Sequence, residues 1–194
     1  MVDKKILRRV YMRLLELFSG TGSVGKVARS LGYEVVSLDL KNADINCDIM
    51  NWDYRQFKPG EFDVVWASPP CTVFSVFQRM HLTREDWDER IQNEGLPILR
   101  RTQEIILYFN PKLWFIENPQ TGRMKEFIDL PFYDVDYCMY SDWGYRKRTR
   151  IWTNKEDFQP ILCDKTCGTH VSLKTIRLND RYRIPPNLIE SLLQ

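Results

Sequence analysis

A cysteine follows two prolines in ASPPCTVFS, residues 67–75. A thiol at the point where an apolar strand leaves a sheet, with Pro69 and Pro70 fixing the backbone before it, is placed to act as a nucleophile once its proton is removed. Glu117 ends a second apolar run, KLWFIEN (112–118). A carboxylate is costly in such a place unless it is paired or used as an acid or base. GYRKRTRIW then sets Arg146, Arg148 and Arg150 at alternate positions. On a strand these three share one face, where they would orient Glu117 or hold an anionic ligand. Taken alone, a cysteine is more often a small buried residue, and a basic strand is often a solvated edge. Ile151 and Trp152 mark this strand as partly buried, which favours the functional reading.

A second constellation lies upstream. LLELFSGTGSVGKVARSLGYEVVSLDL (14–40) carries G-x-G-x-x-G at Gly20, Gly22 and Gly25, with Asp39 nineteen residues after the first glycine. Glycines let the chain turn sharply and let a cofactor approach the backbone. An acid at the end of the second strand suits the two hydroxyls of a ribose. NAD(P), FAD and S-adenosylmethionine all carry that ribose, so the loop alone does not choose among them. Asp48, in CDIMNWD, is either an acceptor for an adenine amino group or a turn cap.

These residues need a scaffold. RLLELF (13–18), EVVSLDL (34–40), FDVVWAS (62–68), KLWFIEN and KRTRIWTN read as strands. SVGKVARSLG (23–32) and LPILRRTQEIILYF (96–109) read as helices, and PPNLIESLLQ as a short amphipathic helix opened by prolines. Repeated strand–helix units with apolar strands predict an α/β fold, a mostly parallel, doubly wound sheet with helices on both faces. In such sheets ligands sit beyond the carboxyl ends of the strands. Ser19 to Gly22, Asp39, Ser68 to Cys71 and Glu117-Asn118-Pro119 all fall at those ends. Residues 78–97, QRMHLTREDWDERIQNEGLP, read as a long polar loop, and loops of that length are usually functional.

At 194 residues, 43% hydrophobic and 28% charged, the chain reads as one globular domain. No apolar run has the length of a membrane span, and the basic N-terminus lacks the apolar core of a secretory signal. Five scattered cysteines suggest a reducing compartment, and the chain is read as cytoplasmic. The net charge is +2, but residues 138–194 hold ten Lys/Arg against six Asp/Glu, so this end is +4 and the remainder −2. A basic end suits a phosphate-bearing partner.

With these motifs in order, the sequence resembles the DNA (cytosine-5) methyltransferases. LLELFSGTGSVG is similar to the family's cofactor loop, SLDL to its ribose-binding acid, CDI to its adenine-binding Asp-Ile, SPPCTVFS to its nucleophile motif, IENP to its Glu-Asn pair and RKRTR to its basic motif. YRIPPNLIESLL resembles its closing helix. The blocks run from Leu14 to Leu193 in the family's order.

The resemblance implies the S-adenosylmethionine-dependent methyltransferase fold and that cofactor, held by Phe18, Ser19, Gly20, Thr21, Gly22, Asp39, Leu40, Asp48, Ile49 and Pro70. It implies that Cys71 adds to C6 of a cytosine flipped out of DNA. Glu117 would act at N3 and the exocyclic amine, and Arg148 and Arg150 would hold the base and orient Glu117. It divides the chain into a cofactor-binding catalytic part (1–152), a short recognition segment (153–183) and a closing helix (184–194) that returns to the catalytic part.

The departures lie in Ser23, Pro119 and Arg146, where glycine, valine and glutamine are usual, in the lack of the usual Gly-Asn before the closing helix, and above all in length. Only 31 residues separate Trp152 from Ile184, where the family places a much longer recognition region. So short a segment offers little surface for reading base edges. It implies a short sequence preference, help from a second copy or helper subunit, or a different substrate, RNA or a free pyrimidine nucleotide; a silent nucleic-acid-binding relative is the alternative of another class. A minimal phage or viral enzyme would look like this, working in its host's cytoplasm. CDKTCGTH, with Cys163, Cys167 and His170, has spacing that permits a metal clip, but three ligands are incomplete for structural zinc and Cys138 or Asp164 would have to supply the fourth. The segment is therefore read as a turn with two ordinary cysteines and no metal.

Overall fold

The computed structural model describes residues 11–168 and 170–194. It contains one seven-stranded sheet with helices on both faces. The strands are β1 (Arg13–Leu17), β2 (Glu34–Asp39), β3 (Ile45–Asn46), β4 (Val64–Ala67), β5 (Leu113–Pro119), β6 (Phe132–Asp136) and β7 (Arg148–Thr153), in the spatial order β3-β2-β1-β4-β5-β7-β6. The first five run parallel; β7 is antiparallel to both of its neighbours. Strand order reverses direction at β1 and β4, so the carboxyl ends of these two strands open a crevice.

Local chemistry explains the elements. β1 and β4 are buried on both faces and carry apolar residues apart from the partly buried Arg13 at the start of β1 and Glu16. α1 (Ser23–Ser30) buries Val24, Val27 and Ala28, and α5 (Pro186–Leu193) buries Leu188, Ile189, Leu192 and Leu193. These two helices pack on one face of the sheet, together with Trp66 and Phe115. α3 (Leu96–Phe109) buries Leu99, Ile105 and Phe109 on the other face, against Trp52, Phe62 and Ile116. Two satellite ties fix the closing helix: Ile184 N–H donates to Ser23 Oγ at 3.3 Å, and the Tyr33 hydroxyl donates to the Leu193 carbonyl at 3.0 Å.

Two features differ from the sequence reading. β6 is absent from it, because Phe132–Asp136 is short and only Val135 and Asp136 are buried. The polar stretch 78–97 is mostly helical. α2 (Arg84–Arg90) leads through one π-helical turn, Ile91–Gly95, directly into α3. Thr83 starts α2 by accepting from Asp86 N–H, and Arg84–Asp88 and Arg90–Glu94 pair along its exposed side. The single buried side chain of α2, Trp87, anchors it by donating to the Val73 carbonyl at 2.7 Å. A short α4 (Leu178–Tyr182) precedes the closing helix.

Candidate active site

The carboxyl ends of β1, β2, β4 and β5 border one cleft of about 640 Å³. The turn after β1 enters it with unusual backbone: Phe18, Gly20 and Gly22 have φ of 60°, 50° and 67°. Glycine meets that demand at no steric cost, whereas Phe18 adopts it under strain. Asp39, at the end of β2, holds the turn in place by accepting from Gly20 N–H at 2.9 Å and from Leu40 N–H at 2.7 Å. Phe18, Ser19, Gly20, Thr21, Asp39, Leu40, Asp48, Ile49 and Pro70 all line the cleft. Gly22 stands behind it as the residue preceding α1. Asp48 accepts from Met50 N–H at 2.9 Å, so it caps a turn and faces the cleft at once.

Cys71 and Glu117 line the same cleft. Three bonds from three elements hold the loop that carries Cys71. The Asn118 amide donates to the Pro69 carbonyl at 2.8 Å, Arg123 N–H donates to the Phe74 carbonyl at 2.8 Å, and the Trp87 indole takes the Val73 carbonyl. Phe74 packs so closely on Gly95 that a Cβ there would stand 2.7 Å from the ring. The thiol is largely enclosed, and burial pushes it above its ordinary value; the Lys147 ammonium draws it back down and the Glu117 carboxylate raises it further. The sulfur is therefore held in its neutral thiol form. Glu117 is buried, accepts from the Tyr137 hydroxyl at 3.0 Å, and lies 3.7 Å from Lys147 Nζ.

The arginines are placed differently from the expectation. Arg148 and Arg150 do not line the cleft. They face β6, directly across the ladder from Asp136 and Asp134, with ion pairs of 2.6 and 2.8 Å. Arg146 joins Asp136 at 3.0 Å. Of the three alternating arginines only Arg148 and Arg150 lie on β7, Arg146 preceding it, and all three turn toward the aspartates of β6, a strand the sequence did not disclose. The residue between them, Lys147, is the cation that reaches Glu117, and it also donates to the Arg181 carbonyl at 3.1 Å. Sequence reasoning missed Lys147 and Tyr137. It also missed Asn179 and Tyr182, which bring α4 to the rim of the cleft.

It missed Glu16 as well, for which the signal was a single acid inside RLLELF. Glu16 is 3% exposed, lines the cleft floor, and accepts from Gly25 N–H at 3.0 Å. A Cβ on Gly25 would lie 2.6 Å from its carboxylate, so this glycine is needed for the close approach. Burial raises the Glu16 carboxyl to about 7, with the Gly25 and Val24 amides and Arg29 acting in the opposite direction. The sign follows directly. Between the unfolded value near 4.5 and the folded value near 7, the folded state holds the proton and the unfolded state does not, so this residue's contribution to stability falls as pH rises through that window. Glu16→Gln is therefore expected to gain on the wild type between those pH values, by about 3 kcal/mol at most, and to hold a constant difference above them. Urea denaturation at stepped pH measures this; a difference that does not change with pH would contradict the assignment.

An open α/β sheet whose strand ends gather a glycine turn, two aspartates, a cysteine and a glutamate in one crevice belongs to the class that binds a nucleotide-like cofactor beside a second reactant. A solved structure of an Entamoeba histolytica methyltransferase, EhMeth, superposes with a TM-score of 0.57 at 15% identity, covering 77% of this chain and 56% of that one. The fold is thus the Rossmann-like fold of the methyltransferases, and this chain spans about half the length of that structure. No family model matches the chain. A Frog virus 3 (isolate Goorha) protein described as a "Probable DNA (cytosine-5)-methyltransferase" is 45% identical over 215 aligned positions, covering 94% of this chain and 99% of the viral protein. The chain belongs to the DNA (cytosine-5)-methyltransferase family, and it shares its short build with that viral relative.

Proposed function

We propose that the chain methylates C5 of cytosine in DNA, using S-adenosylmethionine and a transient bond between Cys71 and C6 of the base. The observation that carries this reading is the meeting of Cys71 and Glu117 with the glycine turn, Asp39 and Asp48 in one cleft. That donor set fits the cofactor: an aromatic ring at Phe18, a carboxylate at the β2 end for ribose hydroxyls, a second at Asp48 for an amino group, and a turn without side chains at Gly20. When bound, S-adenosylmethionine supplies an electrophilic methyl group and a positive charge.

The remaining chemistry belongs to the chain. Carbon 5 of cytosine is a poor nucleophile, and the target base must leave its stack to reach the cleft. Cys71 gives its proton to solvent and forms the S–C6 bond; the electrons of the C5–C6 double bond shift toward the ring nitrogen N3, to which Glu117, protonated from solvent as the base binds, delivers a proton. This makes C5 electron-rich. After methylation, a solvent base takes the C5 proton, the S–C6 bond breaks to restore the C5–C6 double bond and the thiolate, and N3 returns its proton to Glu117. Lys147 stabilises the thiolate of Cys71 and, 3.7 Å from Glu117, takes the orienting role there that the resemblance implies for the arginines. Arg148 and Arg150 brace the β6–β7 hairpin. The segment 153–183 is the recognition segment, and a second copy or helper subunit extends its reach along DNA. No helix among the described residues is long and apolar enough to cross a membrane, and five free thiols suit the reducing interior of a host cell's cytoplasm.

A second substrate class, RNA or a free pyrimidine nucleotide, is favoured by the sparse surface between β7 and α5. One experiment separates them. The protein is incubated with labelled S-adenosylmethionine and duplex DNA, single-stranded DNA, RNA or dCMP in parallel, and the products are digested and resolved. Labelled 5-methylcytosine from duplex DNA is expected. Label confined to RNA or dCMP moves the substrate, and cofactor binding without any labelled product makes the chain a silent relative.

A further inference from the structure

Among the described residues, one group of sulfur and imidazole ligands converges away from the cleft: Cys138, Cys163, Cys167 and His170. Cys138 lies in the turn straight after β6, whereas the other three belong to the short segment beyond β7. The fold thus supplies the fourth ligand that the local Cys-x3-Cys-x2-His spacing lacks. All four ligand atoms lie within 4.8 Å of one another. Cys163 Sγ stands 3.2 Å from Cys167 Sγ and 3.9 Å from His170 Nε2, and Cys167 Sγ stands 3.1 Å from that nitrogen. A tetrahedral zinc ion with ordinary Zn–S and Zn–N bonds has edges of about 3.5–3.8 Å, which these separations bracket.

The surroundings agree. Lys165 N–H points at Cys163 Sγ at 3.3 Å, the kind of outer hydrogen bond that orients a metal-bound thiolate. Cys163 N–H donates to Asp136 Oδ2 at 2.9 Å, which ties the cluster to the aspartate that also holds Arg146 and Arg148. Of the described residues from 154 to 183, only Phe158 and Cys163 are buried. A segment with so little apolar burial needs another source of order, and small domains commonly find it in a metal.

We propose that Cys138, Cys163, Cys167 and His170 form a structural zinc site that clips the segment 161–170 to the end of β6. Four protein ligands close the coordination sphere, so the ion is structural and takes no part in methyl transfer. Three thiolates and an imidazole select zinc over hard cations such as magnesium or calcium. The cysteines bind as thiolates, and their protons pass to solvent. The short segment after β7 is thereby given one fixed shape beside the hairpin.

The test uses the full chain, expressed in zinc-supplemented medium and kept reduced. Elemental analysis is expected to find one zinc per chain. Replacement by Co(II) is expected to give the visible bands and near-ultraviolet thiolate charge-transfer absorption of a tetrahedral sulfur-rich site. Cys138→Ser and Cys167→Ser are expected to weaken zinc binding by ~100-fold or more, since even outer partners of a ligand are worth 10–100-fold. Cys47→Ser, outside the cluster, is expected to keep the metal. Chelation of the wild type should expose Lys165 and Lys174 to trypsin, and zinc should restore protection. This last arm does not depend on any variant folding. A metal-free chain that takes up no zinc or Co(II), a Cys163–Cys167 disulfide in the reduced preparation, or unchanged zinc affinity in Cys138→Ser each overturns the proposal.

Discussion

Cys71→Ser is expected to lower methyl transfer by roughly 10⁴-fold or more, with cofactor binding within about twofold of wild type. The size of the effect follows from the chemistry of the position. The reaction needs an anionic nucleophile at C6, and a serine hydroxyl in the same enclosed site ionises far less readily than a thiol. Burial already holds the Cys71 thiol above its ordinary value, and the Lys147 ammonium, helped by the residue's own backbone N–H, draws it down. Lys147 would do little for a group as weakly acidic as an alcohol. The substitution removes no hydrogen bond that shapes the loop, because Asn118, Arg123 and Trp87 grip the backbone on either side. The glycine turn and Asp39 are untouched. Initial rates of label transfer and calorimetric titration of the cofactor measure the two quantities separately. A serine variant that retains a tenth of the wild-type rate would end the covalent mechanism.

Glu117→Gln is expected to reduce kcat by about 10²–10³ while changing KM little. Glutamine has the same shape and keeps an oxygen that can accept from the Tyr137 hydroxyl. It cannot pass a proton to the ring nitrogen as the sulfur adds. Because Lys147 lies 3.7 Å from Glu117 and also influences Cys71, neutralising the glutamate should ease ionisation of the thiol even as turnover falls. Alkylation of Cys71 by iodoacetamide across a pH series should therefore show its midpoint shifted downward in Glu117→Gln. A variant that turns over within threefold of wild type, with an unmoved alkylation profile, would remove Glu117 from the reaction.

The parts of this arrangement that sequence could disclose are those in which one stretch carries its own signal. β1 with its glycine turn, β4 stopped by Pro69 and Pro70, and α3 with its apolar spacing were legible because burial and backbone demands are written into consecutive residues. Cys71 and Glu117 stood out as chemically reactive groups where apolar strands end. The hidden parts depend on what lies opposite. Nothing in RKRTR says that its alternating arginines meet Asp134 and Asp136, since Phe132–Asp136 gives only a faint strand signal. For the same reason Lys147 passed as one more basic residue. Helix α2 was masked by its composition: it is polar on every side but one, and a single tryptophan fixes it to the fold. Cys138 gained its neighbours only once the chain had closed.

The opposed pairs Asp134–Arg150 and Asp136–Arg148 also bear on how the basic end would meet a polyanion. Their charge is largely offset within the hairpin, where two aspartates face three arginines because Arg146 shares Asp136 with Arg148. When a nucleic acid approaches, cations are shed from its phosphates only where the protein brings uncompensated charge. The hairpin therefore adds stiffness to this face but little to the ionic-strength dependence of association, which falls to lysines and arginines elsewhere on the molecule.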